Sequence, residues 1–201
     1  MKKLFLCSFF KDAFPLFDQS VEGKRIAFIP TAANVEKIAF YVSSARKALE
    51  QAGATIMLLD IAAASPEEIK STLEKSDFIY ISGGNTFYLL QEMKRSGADK
   101  LICDFVNAGK PYIGESAGAM LVSPNIEYAA AMDSIKKAPE LTGYDALGLT
   151  DFYAVPHEGY GPFKRPVGKI IEKYASSLTL CPISNKQAIS VNGNEHQILG
   201  E

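Results

Sequence analysis

The sequence predicts an α/β fold in which a mostly parallel sheet carries helices on both faces. Short apolar segments with the length of strands alternate with segments whose apolar residues recur every three or four positions. Uninterrupted apolar strands are typical of a parallel sheet that is covered on both faces. The chain has 201 residues, of which 47% are hydrophobic and 22% are charged. Because it also lacks internal repeats and long linkers, we expect one soluble domain over residues 1–201.

Six apolar segments are predicted as strands, and the amphipathic segments between them as helices. The strands cover residues 2–10, 25–30, 55–61, 77–82, 111–115 and 152–157. The helices cover residues 34–52, 86–97, 98–109 and 166–174, and one more begins at the capping box Ser65-Pro66-Glu67-Glu68. Residues 187–199 predict a hairpin around Asn192-Gly193-Asn194, and residues 123–151 are the least regular stretch.

Charge and cysteine content argue against several classes of function. The formal net charge of −2 gives no general attraction to nucleic acid or to an anionic membrane. Cys7, Cys103 and Cys181 lie far apart, which argues against a disulfide framework and a cysteine metal site. The apolar run that follows Lys3 is short and has no cleavage site, so it predicts a buried first strand. We therefore expect a cytoplasmic protein without nucleic-acid or membrane partners.

The segment Gly114-Glu-Ser-Ala-Gly118 places a serine between two glycines where a predicted strand gives way to a helix. A match to G-x-S-x-G arises by chance in roughly 7% of chains of this length, so its context matters. A strand–turn–helix setting is what a nucleophile elbow requires. The amides at the start of the helix would then face a developing oxyanion. The alternative is an ordinary tight turn with an inert Ser116.

A serine nucleophile needs a base, and the chain has only two histidines. His157 ends the predicted strand 152–157, whereas His196 lies in the polar terminal hairpin and is expected at the surface. Ligands of open α/β sheets bind at the carboxyl ends of strands. Because Ser116 and His157 both follow predicted strands, they are expected to converge. His157 is thus the predicted base, with a structural loop histidine as the alternative.

Gly83 and Gly84 follow another predicted strand, at residues 77–82. Two glycines allow the backbone to approach a bound group closely. The Gly84 amide is therefore a predicted oxyanion donor, and the Ala117 amide is the second. The alternative is that the two glycines only form a turn.

Three motifs, "ISGGNTFYLL", "IGESAGAM" and "VPH", resemble the peptidase S51 family, which contains aspartyl dipeptidase (peptidase E) and cyanophycinase. The similarity extends over residues 25–199. It implies a flavodoxin-like fold related to class I glutamine amidotransferases, with serine in place of their cysteine. It also implies a Ser116–His157 pair with an acidic third member, and Gly84 and Ala117 as the oxyanion hole. Neither a metal nor another cofactor is expected.

For the acidic third member, the sequence offers several candidates. In peptidase E it follows a segment that corresponds to "LVSPNIEYAAAMD", which makes Asp133 its counterpart, although two extra residues precede it here. Glu158 and Glu127 are further candidates, and a plain Ser–His dyad stays open. Because loss of an orienting carboxylate costs about 10⁴ in rate, a poor third member predicts slow turnover.

Aspartyl dipeptidases use basic residues after the catalytic histidine to bind an N-terminal aspartate. Here that region reads "HEGYGPFKRPVGK", and it offers Lys164 and Arg165 for substrate binding. Arginine would bind a carboxylate bidentately. The alternative is that both are solvated charges at the start of a helix.

The predicted function is a serine peptidase of the dipeptidase type. It would hydrolyse small peptides, with Asp-X among them, through an acyl-enzyme. One alternative is an esterase of the α/β-hydrolase type, whose Ser–acid–His order this chain also satisfies. The other is a degenerate family member that binds a small ligand without catalysis. The sequence predicts no oligomeric state.

Overall fold

The computed structural model describes residues 1–201 and contains nine strands and seven α-helices. The strands are β1 (Lys3–Cys7), β2 (Arg25–Ile29), β3 (Thr55–Leu58), β4 (Phe78–Ile81), β5 (Tyr112–Glu115), β6 (Tyr153–Val155), β7 (Leu180–Pro182), β8 (Ala188–Asn192) and β9 (Glu195–Leu199). The helices are α1 (Phe10–Ala13), α2 (Phe40–Gln51), α3 (Pro66–Lys75), α4 (Thr86–Ser96), α5 (Ala98–Asn107), α6 (Ala117–Met120) and α7 (Lys164–Tyr174).

Seven strands form one mixed sheet in the order β3-β2-β4-β5-β1-β8-β9. The first five are parallel, and β8 and β9 extend the sheet as the antiparallel hairpin predicted at the end of the chain. Strands β6 and β7 pair in parallel as a separate two-stranded sheet. The prediction of a mostly parallel sheet flanked by helices is therefore confirmed.

Two apolar cores lie on the two faces of the sheet, because successive strand residues point to opposite sides. Leu4 and Leu6 of β1 belong to a cluster of 39 buried residues that includes side chains from α3, α4, α5 and α7. Phe5 and Cys7 belong to a cluster of 13 buried residues that includes side chains from α1 and α2. Burial on both faces accounts for the uninterrupted apolar strands in the sequence. Cys7 and Cys181 are buried free thiols.

The predicted helix at residues 34–52 begins six residues late, at Phe40. The preceding chain is held elsewhere, since the Asn34 side chain donates to the Asp60 carboxylate at 3.0 Å. Ile38, which contributed to the helical periodicity, is 68% exposed instead of facing the core. By contrast, α3 begins as predicted, with the Ser65 Oγ accepting the amide of Glu68 at 3.2 Å.

Residues 123–151 contain no α-helix, as their irregular sequence indicated, and only two short 3₁₀ turns at Glu127–Ala131 and Ile135–Lys137. No helix in the protein has both the length and the apolar character needed to cross a bilayer.

Candidate active site

Ser116 occupies a strained turn between β5 and α6. Its backbone has φ +49° and ψ −102°, a conformation that residues with a side chain seldom adopt. The Ser116 amide donates to the Cys7 carbonyl at 2.8 Å, which fixes the turn to the end of β1. Strain held by surrounding contacts is typical of functional positions, and this turn has the strand–turn–helix form of a nucleophile elbow.

The two glycines of the G-x-S-x-G motif are needed for close packing rather than for an unusual φ. A Cβ atom on Gly118 would lie 2.3 Å from the carbonyl oxygen of Ile81 in β4. A Cβ atom on Gly114 would lie 2.6 Å from the carbonyl oxygen of Gly118. Helix α6 therefore sits directly against β4 and β5. It has only four residues, so individual amides rather than a long helix dipole face the site.

His157 follows β6, and its side chain lies beside Ser116, as expected for two residues that follow strands. Its Nε2 atom lies 2.9 Å from Ser116 Oγ, and the residue is 8% exposed. The backbone of His157 has φ +68°, and its amide donates to Ser8 Oγ at 2.9 Å. The imidazole stacks on the Phe163 ring at 4.3 Å between centroids, with an interplanar angle of 18°. Ser8 and Phe163 thus fix the backbone and the ring of His157.

The side chain that orients the imidazole is an amide. Nδ1 of His157 lies 2.8 Å from Oδ1 of Asn185, which is in the loop after β7. Since an amide oxygen only accepts, Nδ1 carries the hydrogen and Nε2 is left to accept the Ser116 hydroxyl. Asn185 is held by a tight turn in which the Ser184 amide donates to Gln187 Oε1 at 2.9 Å. Ser116, His157 and Asn185 therefore form a continuous hydrogen-bonded chain.

Asp133 does not orient His157, which corrects the expectation for the third member. Its carboxylate accepts the Thr86 amide at 2.9 Å and the Thr86 hydroxyl at 2.5 Å. Thr86 is the first residue of α4, where amides lack partners within the helix, so Asp133 acts as a cap. Glu158 and Glu127 are exposed, and neither forms a hydrogen bond with His157.

Burial changes the ionisation of two groups in this region. Burial lowers the pKa of His157 from its usual range, and the hydrogen bond to Asn185 opposes this only in part. The imidazole is therefore neutral near pH 7, as a general base must be. Burial also raises the pKa of Asp133 to about 6, despite the hydrogen bonds from Thr86.

The amides of Gly84 and Ala117, the two predicted oxyanion donors, have no acceptor within the protein. Gly84 has φ +136°, and a Cβ atom there would lie 2.2 Å from the backbone of Ala32. Neither the Gly84 amide nor the Ala117 amide donates a hydrogen bond within the protein. Gly83 packs beside the nucleophile, since a Cβ atom on it would lie 3.2 Å from Ser116 Cβ. Amides without an acceptor in the protein are the donors that an oxyanion hole requires.

The remaining predicted residues lie outside this hydrogen-bonded group. Lys164 and Arg165 begin α7, directly after Phe163, and both are exposed without a hydrogen bond or an ion pair. His196 is exposed on β9, as expected, where its ring packs against that of Phe152 at 4.4 Å between centroids, with the planes tilted by 38°.

Sequence reasoning missed Ser8, Phe163 and Asn185. Asn185 follows β7, which runs parallel to β6 and so ends on the same side, but residues 180–182 were not among the predicted strands.

Comparison with known proteins identifies the family. The model of peptidase family S51 matches residues 6–199. The chain belongs to this family. It is 54% identical over 198 residues to an uncharacterised peptidase of Listeria innocua, covering 97% of this chain and 95% of that one. It is also 36% identical over 146 residues to peptidase E of Salmonella arizonae, covering 72% of this chain and 60% of that one.

Solved structures agree with this assignment. A crystal structure from Listeria monocytogenes, of a protein provisionally called peptidase E, superposes with a TM-score of 0.95 and 52% identity, covering 99% of this chain and 98% of that one. A peptidase from an acI-B1 actinobacterium superposes with a TM-score of 0.71 at 19% identity, covering 100% of this chain and 88% of that one, and supports the fold alone. The predicted resemblance and the flavodoxin-like, amidotransferase-like fold are confirmed. The α/β-hydrolase alternative is therefore set aside, and the S51 family identifies a peptidase.

Proposed function

We propose that this S51 peptidase is a serine-type enzyme that hydrolyses small peptides through an acyl-enzyme at Ser116. The observation that carries the proposal is the 2.9 Å contact between Ser116 Oγ and His157 Nε2 at a strained strand–helix turn. A serine is a weak nucleophile until an adjacent base accepts its proton. The neutral, correctly oriented imidazole of His157 supplies that base.

In the proposed mechanism His157 Nε2 takes the hydroxyl proton as Ser116 Oγ attacks the peptide carbonyl. The amides of Gly84 and Ala117 hold the oxyanion of the tetrahedral intermediate. Protonated His157 then gives its proton to the leaving amine, and the C–N bond breaks. Water, deprotonated by the same imidazole, hydrolyses the ester and restores Ser116.

Asn185 serves this cycle as a positioning residue. It fixes the tautomer of His157, which is the role of the amide in Cys–His–Asn proteases. An amide stabilises the imidazolium less strongly than a carboxylate does. Because Asn185 stabilises protonated His157 only weakly, slow turnover is expected.

Asp-X dipeptides are the substrates that Lys164 and Arg165 would favour. Both cations are exposed, neither pairs with a carboxylate, and the chain places them directly after Phe163, which stacks on His157. Unpaired cations beside a site attract an anionic group. We place the enzyme in the cytoplasm, in keeping with its three free thiols.

A dipeptide panel tests the proposed function. Purified protein should cleave at least one class among Asp-X, neutral and basic dipeptides, and Ser116→Ala should abolish that cleavage. Ser176→Ala, which alters an exposed serine without a hydrogen bond, is the matched control and should retain full activity. If the wild type cleaves no dipeptide and Ser116 does not react with a fluorophosphonate, the non-enzymatic alternative holds.

A further inference from the structure

Glu115, directly before the nucleophile, is a buried carboxyl that the proposed mechanism does not use. The residue is 1% exposed. Its Oε1 atom accepts the Phe10 amide at 2.8 Å, and its Oε2 atom accepts the Tyr80 hydroxyl at 2.6 Å. Gly83, just beyond the end of β4, packs against the backbone of Glu115, since a Cβ atom on it would lie 3.7 Å from the Glu115 carbonyl oxygen. The Glu115 side chain thus contacts α1 and β4, and β4 leads into the turn that carries the predicted oxyanion donor Gly84.

No cation compensates the carboxyl of Glu115, because none of the four ion pairs in the protein includes it. The titratable groups around it are Cys7 at the end of β1, Tyr80 on β4 and Tyr41 on α2. Burial raises the pKa of the Cys7 thiol and of both phenols, and Glu115 adds to each increase, so all three are uncharged at neutral pH. A buried charge held only by neutral donors is costly, which indicates a role beyond packing.

We propose that Glu115 is a positioning residue whose carboxylate holds the Gly83–Gly84 turn against the Ser116 elbow, so that the site becomes active as Glu115 ionises. This inference rests on the proposed serine mechanism. The carboxylate accepts from the Phe10 amide and from the hydroxyl of Tyr80 on β4, the strand that leads into Gly83. Protonation turns one of its oxygens into a donor and weakens the contacts to these groups. Gly83 lies beside Ser116, so its displacement moves the oxyanion donor Gly84 relative to the nucleophile.

The direction of the pH effect follows from burial. Burial raises the pKa of Glu115 to about 7, which exceeds the usual range of a carboxyl group. Activity should therefore rise about tenfold between about pH 6 and about pH 8 as Glu115 ionises. His157 also titrates at the site, but burial lowers its pKa. Its ionisation therefore gives a separate limb of the pH–activity profile, at lower pH than that of Glu115.

The test is the pH dependence of fluorophosphonate labelling of Ser116, with dipeptide hydrolysis measured in parallel. In Glu115→Gln the limb of the pH profile near neutral pH should disappear, and only the limb of His157 at lower pH should remain. The same variant should lower kcat roughly ten- to a hundredfold with little change in KM. Tyr80→Phe deletes one hydroxyl that lowers the pKa of Glu115, so it should move the limb to higher pH. The matched control is Glu92→Gln, a buried carboxyl paired with Arg95 on α4, which should leave the profile unchanged.

Loss of the neutral-pH limb in Glu115→Gln, together with its displacement to higher pH in Tyr80→Phe, would support this role of Glu115. A limb that survives in Glu115→Gln, or that does not move in Tyr80→Phe, would overturn it while the serine mechanism stands. Tyr80→Phe keeps the ring and decides the matter if Glu115→Gln does not fold. Absence of labelling and hydrolysis in the wild type at every pH would instead overturn the proposed function itself.

Discussion

The imidazole of His157 is oriented by an amide, with Nδ1 2.8 Å from Oδ1 of Asn185. The carboxylate expected in this place, Asp133, caps α4 through Thr86 instead. An amide fixes the tautomer but adds no negative charge beside the ring. Burial lowers the pKa of His157, and the hydrogen bond to Asn185 opposes this only in part, so the ring is neutral near pH 7. The same arrangement stabilises the protonated imidazole only weakly.

Asn185→Asp should raise the pKa of His157, because a neighbouring carboxylate favours the imidazolium. The measurement is an NMR titration of the imidazole protons, which is simple in a chain with two histidines. The His157 resonance should titrate at higher pH in the variant than in the wild type. Asn185→Ala should lower kcat on the order of a hundredfold through loss of orientation. An unchanged His157 titration in Asn185→Asp would show that position 185 does not orient the ring.

Asp133→Ala should reduce stability and leave the base unaltered. Loss of the cap on α4 should cost about 1 kcal/mol of the free energy of unfolding, because the Thr86 amide loses its acceptor. Urea denaturation measures this cost, and the His157 titration serves as the internal control. A shifted His157 titration in this variant would restore Asp133 as a member of the catalytic group.

Gly118→Ala should damage both the fold and the site. Its Cβ atom would lie 2.3 Å from the Ile81 carbonyl, so α6 has to move away from β4. Overpacking of this kind costs about 1–3 kcal/mol. Labelling of Ser116 should fall with it, since α6 carries the Ala117 amide. Gly168→Ala on α7 is the matched control, because no atom lies within 4 Å of its Cβ position, and it should stabilise the protein by roughly 0.5–1 kcal/mol.

The sequence could predict those parts of the fold and site that depend on local pattern. Apolar runs and capping residues predict most of the strands and helices. Because ligands of α/β sheets bind at the carboxyl ends of strands, the sequence also predicts that Ser116, His157 and Gly84 lie at one edge of the sheet. Asp133 and Asn185 could not be distinguished in this way. Which polar side chain reaches Nδ1 depends on the path of residues 123–151 and of the turn after β7, and neither path has a periodic signal. The helix predicted at residues 34–52 is longer than the observed α2, because Ile38 fits the helical period yet faces solvent.

Arg165→Ala or Lys164→Ala should raise KM for an Asp-X dipeptide at least tenfold and change neutral substrates little. The loss of a charged partner for a desolvated carboxylate costs on the order of 2–5 kcal/mol. Lys169→Ala, another exposed lysine on α7, is the matched control and should behave as wild type. Equal small losses on both substrate types would mean that the two cations are only solvated charges. Failure of the wild type to cleave any Asp-X dipeptide would remove the aspartyl preference alone.

Covalent labelling of Ser116 tests the central claim most directly. Intact mass spectrometry after fluorophosphonate treatment should show one adduct per chain, and peptide mapping should locate it on Ser116. Ser116→Ala should remain unlabelled, with hydrolysis reduced by up to about 10⁶. His157→Ala should react far more slowly than wild type, and His196→Ala should react at the wild-type rate. A catalytically active wild type that forms no adduct, or a Ser116→Ala variant that hydrolyses dipeptides as the wild type does, would contradict the serine mechanism.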